Sequence, residues 1–146
     1  MNTNSPKTKL ELPAASINEG FARVFAAAYA ARLDPTLEEL ADIKTVISEA
    51  VTNAIVHAYP DGGGTVYISA RVIGDDTLEF CVRDKGKGIG DIRQAMEPLF
   101  TTGGEERSGM GFTIMQSFTD RLTVWSQPNK GTKVTMRKRI QKLPRR

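Results

Sequence analysis

Three short groups of residues have the types and spacing to handle a phosphorylated ligand. Glu49, Asn53 and His57 recur every fourth residue, which stacks them along one side of a helix. Polar residues along the border of an apolar helix face can look into a cleft while the helix stays anchored. Asp84-Lys85-Gly86-Lys87-Gly88-Ile89-Gly90 follows an apolar run. Its alternating glycines let a ligand come close to the backbone, and its aspartate offers an acceptor to an exocyclic amine such as that of adenine. Arg107-Ser108-Gly109-Met110-Gly111-Phe112 opens a third helical segment. Unpaired N–H groups at a helix start, with glycines allowing close approach, suit a phosphate, and Arg107 could add charge. Taken singly, the three could equally be a solvated helix edge, a strand-exit turn and an ordinary glycine cap.

Periodic segments must hold these groups in place. A short strand is expected over Lys9 to Leu12, stopped by Pro13. A first helix follows, capped by Ser16 with Glu19 three residues on, as in a capping box. Phe21, Val24, Phe25, Ala28 and Tyr29 supply its apolar stripe through about Leu33. The second helix is expected from about Thr36 to Ala58, with Glu38 and Glu39 in its first turn, where the dipole favours acids. Ile43, Val46, Ile47, Ala50, Val51, Ala54, Ile55 and Ala58 form its buried face, so Glu49 and Asn53 fall on the border of that face. Pro60-Asp61-Gly62-Gly63-Gly64 breaks it.

Strands are expected over 65–72 and 77–83, and a hairpin over 122–126 and 132–136 around Pro128-Asn129-Lys130-Gly131. Between Asp84 and Gly111 there is much glycine and little periodicity, apart from a possible short helix near Asp91 to Met96. A stretch that long inside a domain is normally functional or mobile. A lid is therefore expected between about Glu97 and Ser108. The pattern predicts one α/β (α+β) two-layer sandwich, a mostly antiparallel sheet with its helices on one face. The single domain fills 1–146, with a core over 8–140 and a basic tail over 141–146.

Composition narrows the function classes. The chain has 146 residues, 40% hydrophobic and 25% charged, as in an ordinary globular domain. The formal charge of +3 comes from one end: six of the 20 basic residues lie between Met136 and Arg146 without an acid. The rest carries 14 basic against 17 acidic residues, which argues against direct nucleic-acid binding. Cys81 is the sole cysteine, which precludes an intrachain disulfide and fits a reducing compartment; it reads as a small core thiol. With no hydrophobic leader and no run of transmembrane length, a cytoplasmic protein without membrane association is expected.

In combination the three groups are far more specific. A Glu-x-x-x-Asn helix, a strand ending in Asp-x-Gly-x-Gly, a lid, a Gly-x-Gly helix start and a late Gly131-Thr132 occur in that order. The order resembles the ATPase superfamily of topoisomerase ATPase domains, histidine kinases and related chaperones, with its Bergerat-type ATP-binding fold. No GxxxxGK[ST] loop is present, so that route to ATP is excluded. Longer strings carry the likeness further: Leu33-Asp34-Pro35-Thr36, Ile43-Lys44-Thr45, 48–55 (SEAVTNAI), 98–102 (PLFTT) and 107–115 (RSGMGFTIM). Over about residues 8 to 140 the chain resembles the bacterial anti-sigma F factors of sporulation, which are serine-protein kinases.

The resemblance implies a protein that holds sigma factor F inactive and phosphorylates a serine of an anti-anti-sigma factor with Mg-ATP. It assigns Glu49 as general base and Asn53 as the Mg2+-binding asparagine. Asp84 becomes the adenine-binding aspartate, helped by Gly86, Gly88 and Thr132. Thr101 and Thr102 fall in the lid, and Arg107, Ser108, Gly109, Met110 and Gly111 in the phosphate-binding loop. Homodimers and ADP-bound as well as ATP-bound forms are implied too. The exposed side of the first helix, around Arg23, is a candidate grip for the sigma factor. Two alternatives remain within this frame: a sister kinase of the general stress response, and a non-catalytic module that sequesters a sigma factor. A histidine kinase needs an acceptor histidine on a separate helix, whereas the only histidine, His57, lies on the nucleotide helix itself.

Overall fold

Alternation with a period of two in five segments, and of 3.6 in the helical ones, dictates which side of each element is buried. The computed structural model describes residues 4–89 and 111–141. In chain order the elements are β1 (Thr8–Pro13), α1 (Ile17–Ala30), a 3-10 turn (Ala31–Leu33) and α2 (Leu37–Asn53). A π-helical turn (Ala54–Ala58), β2 (Thr65–Ile73), β3 (Thr77–Asp84), α3 (Gly111–Ser117), β4 (Arg121–Gln127) and β5 (Gly131–Arg139) follow. The five strands form one sheet in the order β1-β2-β3-β5-β4, and every neighbouring pair is antiparallel. This is the two-layer α+β arrangement that the sequence predicts. The short helix expected near Asp91 to Met96, the lid and the tail beyond residue 141 lie outside the described residues.

One face of the sheet carries Val66, Ile68, Ala70 and Val72 of β2, Leu78, Phe80 and Val82 of β3, and Val134 and Met136 of β5, all buried. The helices cover that face, and Ile43, Val46, Ile47, Ala50 and Val51 of α2 complete the core. The opposite face is polar. Register aligns Tyr67, Arg83, Lys133 and Trp125 in one row across four strands, and Arg71, Glu79, Arg137 and Arg121 in the next but one on the same face. The basic residues of β5 therefore belong largely to a sheet face. Cys81 lies there too, half-buried between Ser69 and Thr135, and is not the core thiol expected. Period-two alternation puts it opposite Phe80 and Val82.

Two expectations about α1 change. Ser16 has a helical backbone and its side chain caps nothing. Glu19 instead bonds the Ser48 hydroxyl of α2 and pairs with Arg23 at 3.0 Å. The capping box belongs to α2: Thr36 Oγ1 accepts from Glu39 N at 3.1 Å and Glu39 Oε1 accepts from Thr36 N at 2.9 Å. The second Glu39 oxygen accepts from Gln141 N, tying the start of α2 to the end of the sheet. The buried side of α1 is Ala22, Ala26, Tyr29 and Ala30, whose small residues let α2 come close. Phe21 and Val24, expected in the apolar stripe, are 56% and 68% exposed, and with Ile17 they leave a bare apolar strip.

Glu79 is buried on the polar face because two arginines close over it. Arg71 Nε donates to Oε1 at 2.7 Å and Arg137 Nε to Oε2 at 2.8 Å, one from each neighbouring strand. Burial alone would raise this carboxyl, but the two hydrogen bonds and positive charges outweigh it and hold it below the usual range. A lowered pKa contributes stability above the unfolded value and loses it as pH falls through the folded one. Glu79→Ala should thus cost on the order of 2 kcal/mol in urea unfolding at neutral pH. The gap to wild type should narrow under acid; a gap independent of pH would separate the stabilisation from this carboxylate.

Candidate nucleotide-binding site

The buried face of α2 anchors the helix so firmly that its border residues have little freedom. Glu49 and Asn53 both sit half-buried on that border, one turn apart. Directly after Asn53 the helix widens into its π-helical turn, so the regular four-residue stack extends over Glu49 and Asn53 while His57 lies on the widened turn. Helix α3, seated by buried Phe112 and Met115, brings Gly111 over this pair. A methyl group at Gly111 would lie 3.2 Å from Glu49 Oε2 and 3.4 Å from Asn53 Nδ2. Glycine here leaves the carboxylate and the amide open to the start of α3.

A second group forms where β3 ends. Asp84 is 5% exposed, and its Oδ1 accepts from Gly86 N at 3.0 Å and from Thr132 N at 3.2 Å. Burial raises its carboxyl above the ordinary aspartate value, and the two backbone bonds oppose the rise. Thr132 is buried opposite it in register on β5. The glycines nearby have a use within the protein itself. A side-chain carbon on Gly86 would fall 2.2 Å from the Ala58 carbonyl oxygen, and one on Gly88 2.1 Å from that of Gln127. They let protein backbone pass close to protein backbone, and so position the strand exit. The link between the two groups is the π-turn, whose Ala58 carbonyl accepts from Lys87 N at 3.1 Å.

Residues 12–138 match the family model for the histidine kinase-like ATPase domain. The chain is 53% identical over 135 residues to an anti-sigma F factor of Clostridium perfringens, covering 92% of this chain and 96% of that one. Against the anti-sigma F factor of a Geobacillus species the identity is 56%, over 91% and 92% of the two chains. This chain belongs to the anti-sigma F factor family. Among solved structures, the RsbU and RsbW domains of a Mycobacterium tuberculosis protein superpose with a TM-score of 0.70 at 20% identity, over 97% of this chain and 34% of that one. The mycobacterial sensor histidine kinase MprB gives 0.59 at 15% identity, over 93% and 100%. At such identities these two share the fold.

In this anti-sigma F factor relative, Glu49, Asn53 and Gly111 come together, and so do Asp84, Gly86 and Thr132. Thr101, Thr102, Arg107, Ser108, Gly109 and Met110 lie outside the described residues. Two residues that sequence reasoning passed over hold the second group. Tyr59 Oη accepts from Lys85 N at 2.7 Å and donates to Thr65 O at 2.9 Å. Ser126 Oγ accepts from Ile89 N at 2.7 Å and lies 2.8 Å from Thr132 Oγ1. Pairing the β4–β5 hairpin on paper would set Ser126 opposite Thr132; nothing in the sequence points to Tyr59.

Burial of Asp84 weighs on stability. Its raised pKa means that ionising this carboxyl costs more in the folded than in the unfolded chain, so stability is lost as pH rises through the folded value. Asp84→Asn keeps an acceptor for both N–H groups and removes the charge. Its thermal midpoint without nucleotide should rise at neutral pH, while ATP affinity in a calorimetric titration falls about 10- to 100-fold, the loss of one charged hydrogen bond. Undiminished affinity would exclude Asp84 from base recognition.

Proposed function

We propose that this chain is an anti-sigma factor and a protein-serine kinase. On this reading it binds and inhibits the sporulation sigma factor F, and uses Mg-ATP to phosphorylate a serine of its anti-anti-sigma factor. The observation that carries the reading is the convergence of a carboxylate, an amide and a side-chain-free helix start at Glu49, Asn53 and Gly111. Identity above one half to anti-sigma F factors along nearly the whole chain supports the partners. A sister kinase of the stress response would share these sites, but likeness to anti-sigma F factors favours the sigma F member.

Phosphoryl transfer asks of a protein mainly positioning and charge stabilisation. Glu49 takes the proton of the attacking serine hydroxyl as general base. Asn53, one turn away, would hold Mg2+ through its amide oxygen, a hard donor suited to that ion. When bound, Mg2+ would neutralise charge on the phosphates. Asp84 receives the adenine, helped by Gly86, Gly88 and Thr132, and Gly111 borders the phosphates.

Ile17, Phe21 and Val24 form an apolar strip on α1 that supports association into a homodimer. No helix among the described residues is long and apolar enough to cross a membrane, in keeping with a cytoplasmic site of action. The decisive experiment incubates the protein with γ-labelled ATP, Mg2+ and the anti-anti-sigma factor. Label should appear on a partner serine. Glu49→Gln should still bind ATP but lose roughly 100-fold or more of the transfer rate, the range of one general base. Absence of label despite tight ATP binding would reduce the function to sequestration of the sigma factor.

A further inference from the structure

Ser126 sits where the strand exit, the β4–β5 hairpin and Thr132 meet. A serine hydroxyl has one proton to give and two lone pairs to share. Ile89 N–H takes one lone pair at 2.7 Å. The Gly131 carbonyl, 3.0 Å away, can take the proton. The remaining lone pair faces Thr132 Oγ1 at 2.8 Å, where either hydroxyl could donate; with the Ser126 proton given to Gly131, the threonine is the donor. This assignment fills every position on Ser126 and leaves Thr132 with only lone pairs to offer elsewhere. Asp84, joined to Thr132 through the Thr132 N–H, is likewise an acceptor. The two side chains then form a surface that can accept hydrogen bonds and donate none.

We propose that Ser126 is a positioning residue for base recognition: it orients the Thr132 hydroxyl and pins Ile89, so that the Asp84–Thr132 pair selects a base bearing an amino group. The proposal rests on the nucleotide-site reading above. Ser126 itself need not touch the ligand. Its removal frees the Thr132 proton to turn outwards and leaves the Ile89 N–H without its partner, blurring the acceptor character of the site. Gly88, whose missing side chain lets the loop lie against Gln127, places that N–H within reach of Ser126.

The test uses the full chain and two probes, ATP and purine riboside triphosphate, which differ in the 6-amino group. Wild type should prefer ATP by about 10- to 100-fold in equilibrium binding, the value of one hydrogen bond to a charged acceptor. Ser126→Ala should cut that preference at least several-fold, chiefly by weakening ATP, and Ser126→Thr, which keeps a hydroxyl, should restore it. Should Ser126→Ala fail to fold, Ser126→Cys, close in size and a poor hydrogen-bonding group, should show the same loss. A variant that weakens both nucleotides equally, or neither, overturns the proposal while leaving the nucleotide site standing. A wild type with no preference between the probes overturns the adenine reading and this inference together.

Discussion

The seating of α2 against the sheet is the constraint on which the rest of the molecule depends. Ile43, Val46, Ile47, Ala50 and Val51 are almost wholly removed from water, the isoleucines and valines each contributing about 1.5–3 kcal/mol by burial. With that face committed, the helix has no rotational freedom, and Glu49 and Asn53 must lie on its border. The capping box at Thr36 and Glu39 fixes one end of the helix, and the bond from Gln141 to Glu39 ties that end to the sheet. At the other end the π-turn presents the Ala58 carbonyl to Lys87. Helix, sheet and strand exit thereby become one rigid frame.

Within that frame, the segment from Asp84 to Ile89 is a piece of irregular backbone held from both sides. Tyr59 and Ala58 grip it from the helix, and Ser126 and Asn129 from the hairpin. Glycine is required at 86 and 88 because protein carbonyls occupy the space where side chains would begin. A buried carboxylate at the head of such a segment destabilises the fold unless its hydrogen bonds are met. Asp84 receives two backbone N–H groups on one oxygen, so the remaining acceptor capacity is already desolvated and directed. Preorganisation of this kind spares a ligand the cost of ordering the site.

The surfaces away from the site divide sharply by chemistry. The open face of the sheet is dominated by arginine and lysine, with Glu79 pairing with two of the arginines and Trp125 46% exposed at one side. The outer side of α1 is instead apolar, interrupted by Arg23, which Glu19 holds while also bonding Ser48. Ser48 directly precedes Glu49, so the same glutamate joins the α1 surface to the helix that carries the site.

Sequence by itself determined the order of the elements, the antiparallel two-layer class, and the candidate residues for a nucleotide site. These follow from local rules: alternation sets strand faces, period 3.6 sets the buried side of α2, and a carboxylate or glycine in a given spacing has few uses. It misjudged Ser16, because a serine with an acid three residues on is also what a tertiary bond from Glu19 to Ser48 leaves behind. It misjudged Phe21 and Val24, because a stripe of apolar residues does not say whether the core or a surface receives it. Only tertiary structure decided that Gly111 lies over Glu49 and Asn53, and that Asp84 is met by Thr132. It alone showed Tyr59 and Ser126 holding the strand exit, because those contacts join residues far apart in the chain. Their geometry is set by how α2 and the hairpin pack on one sheet, which no local pattern encodes.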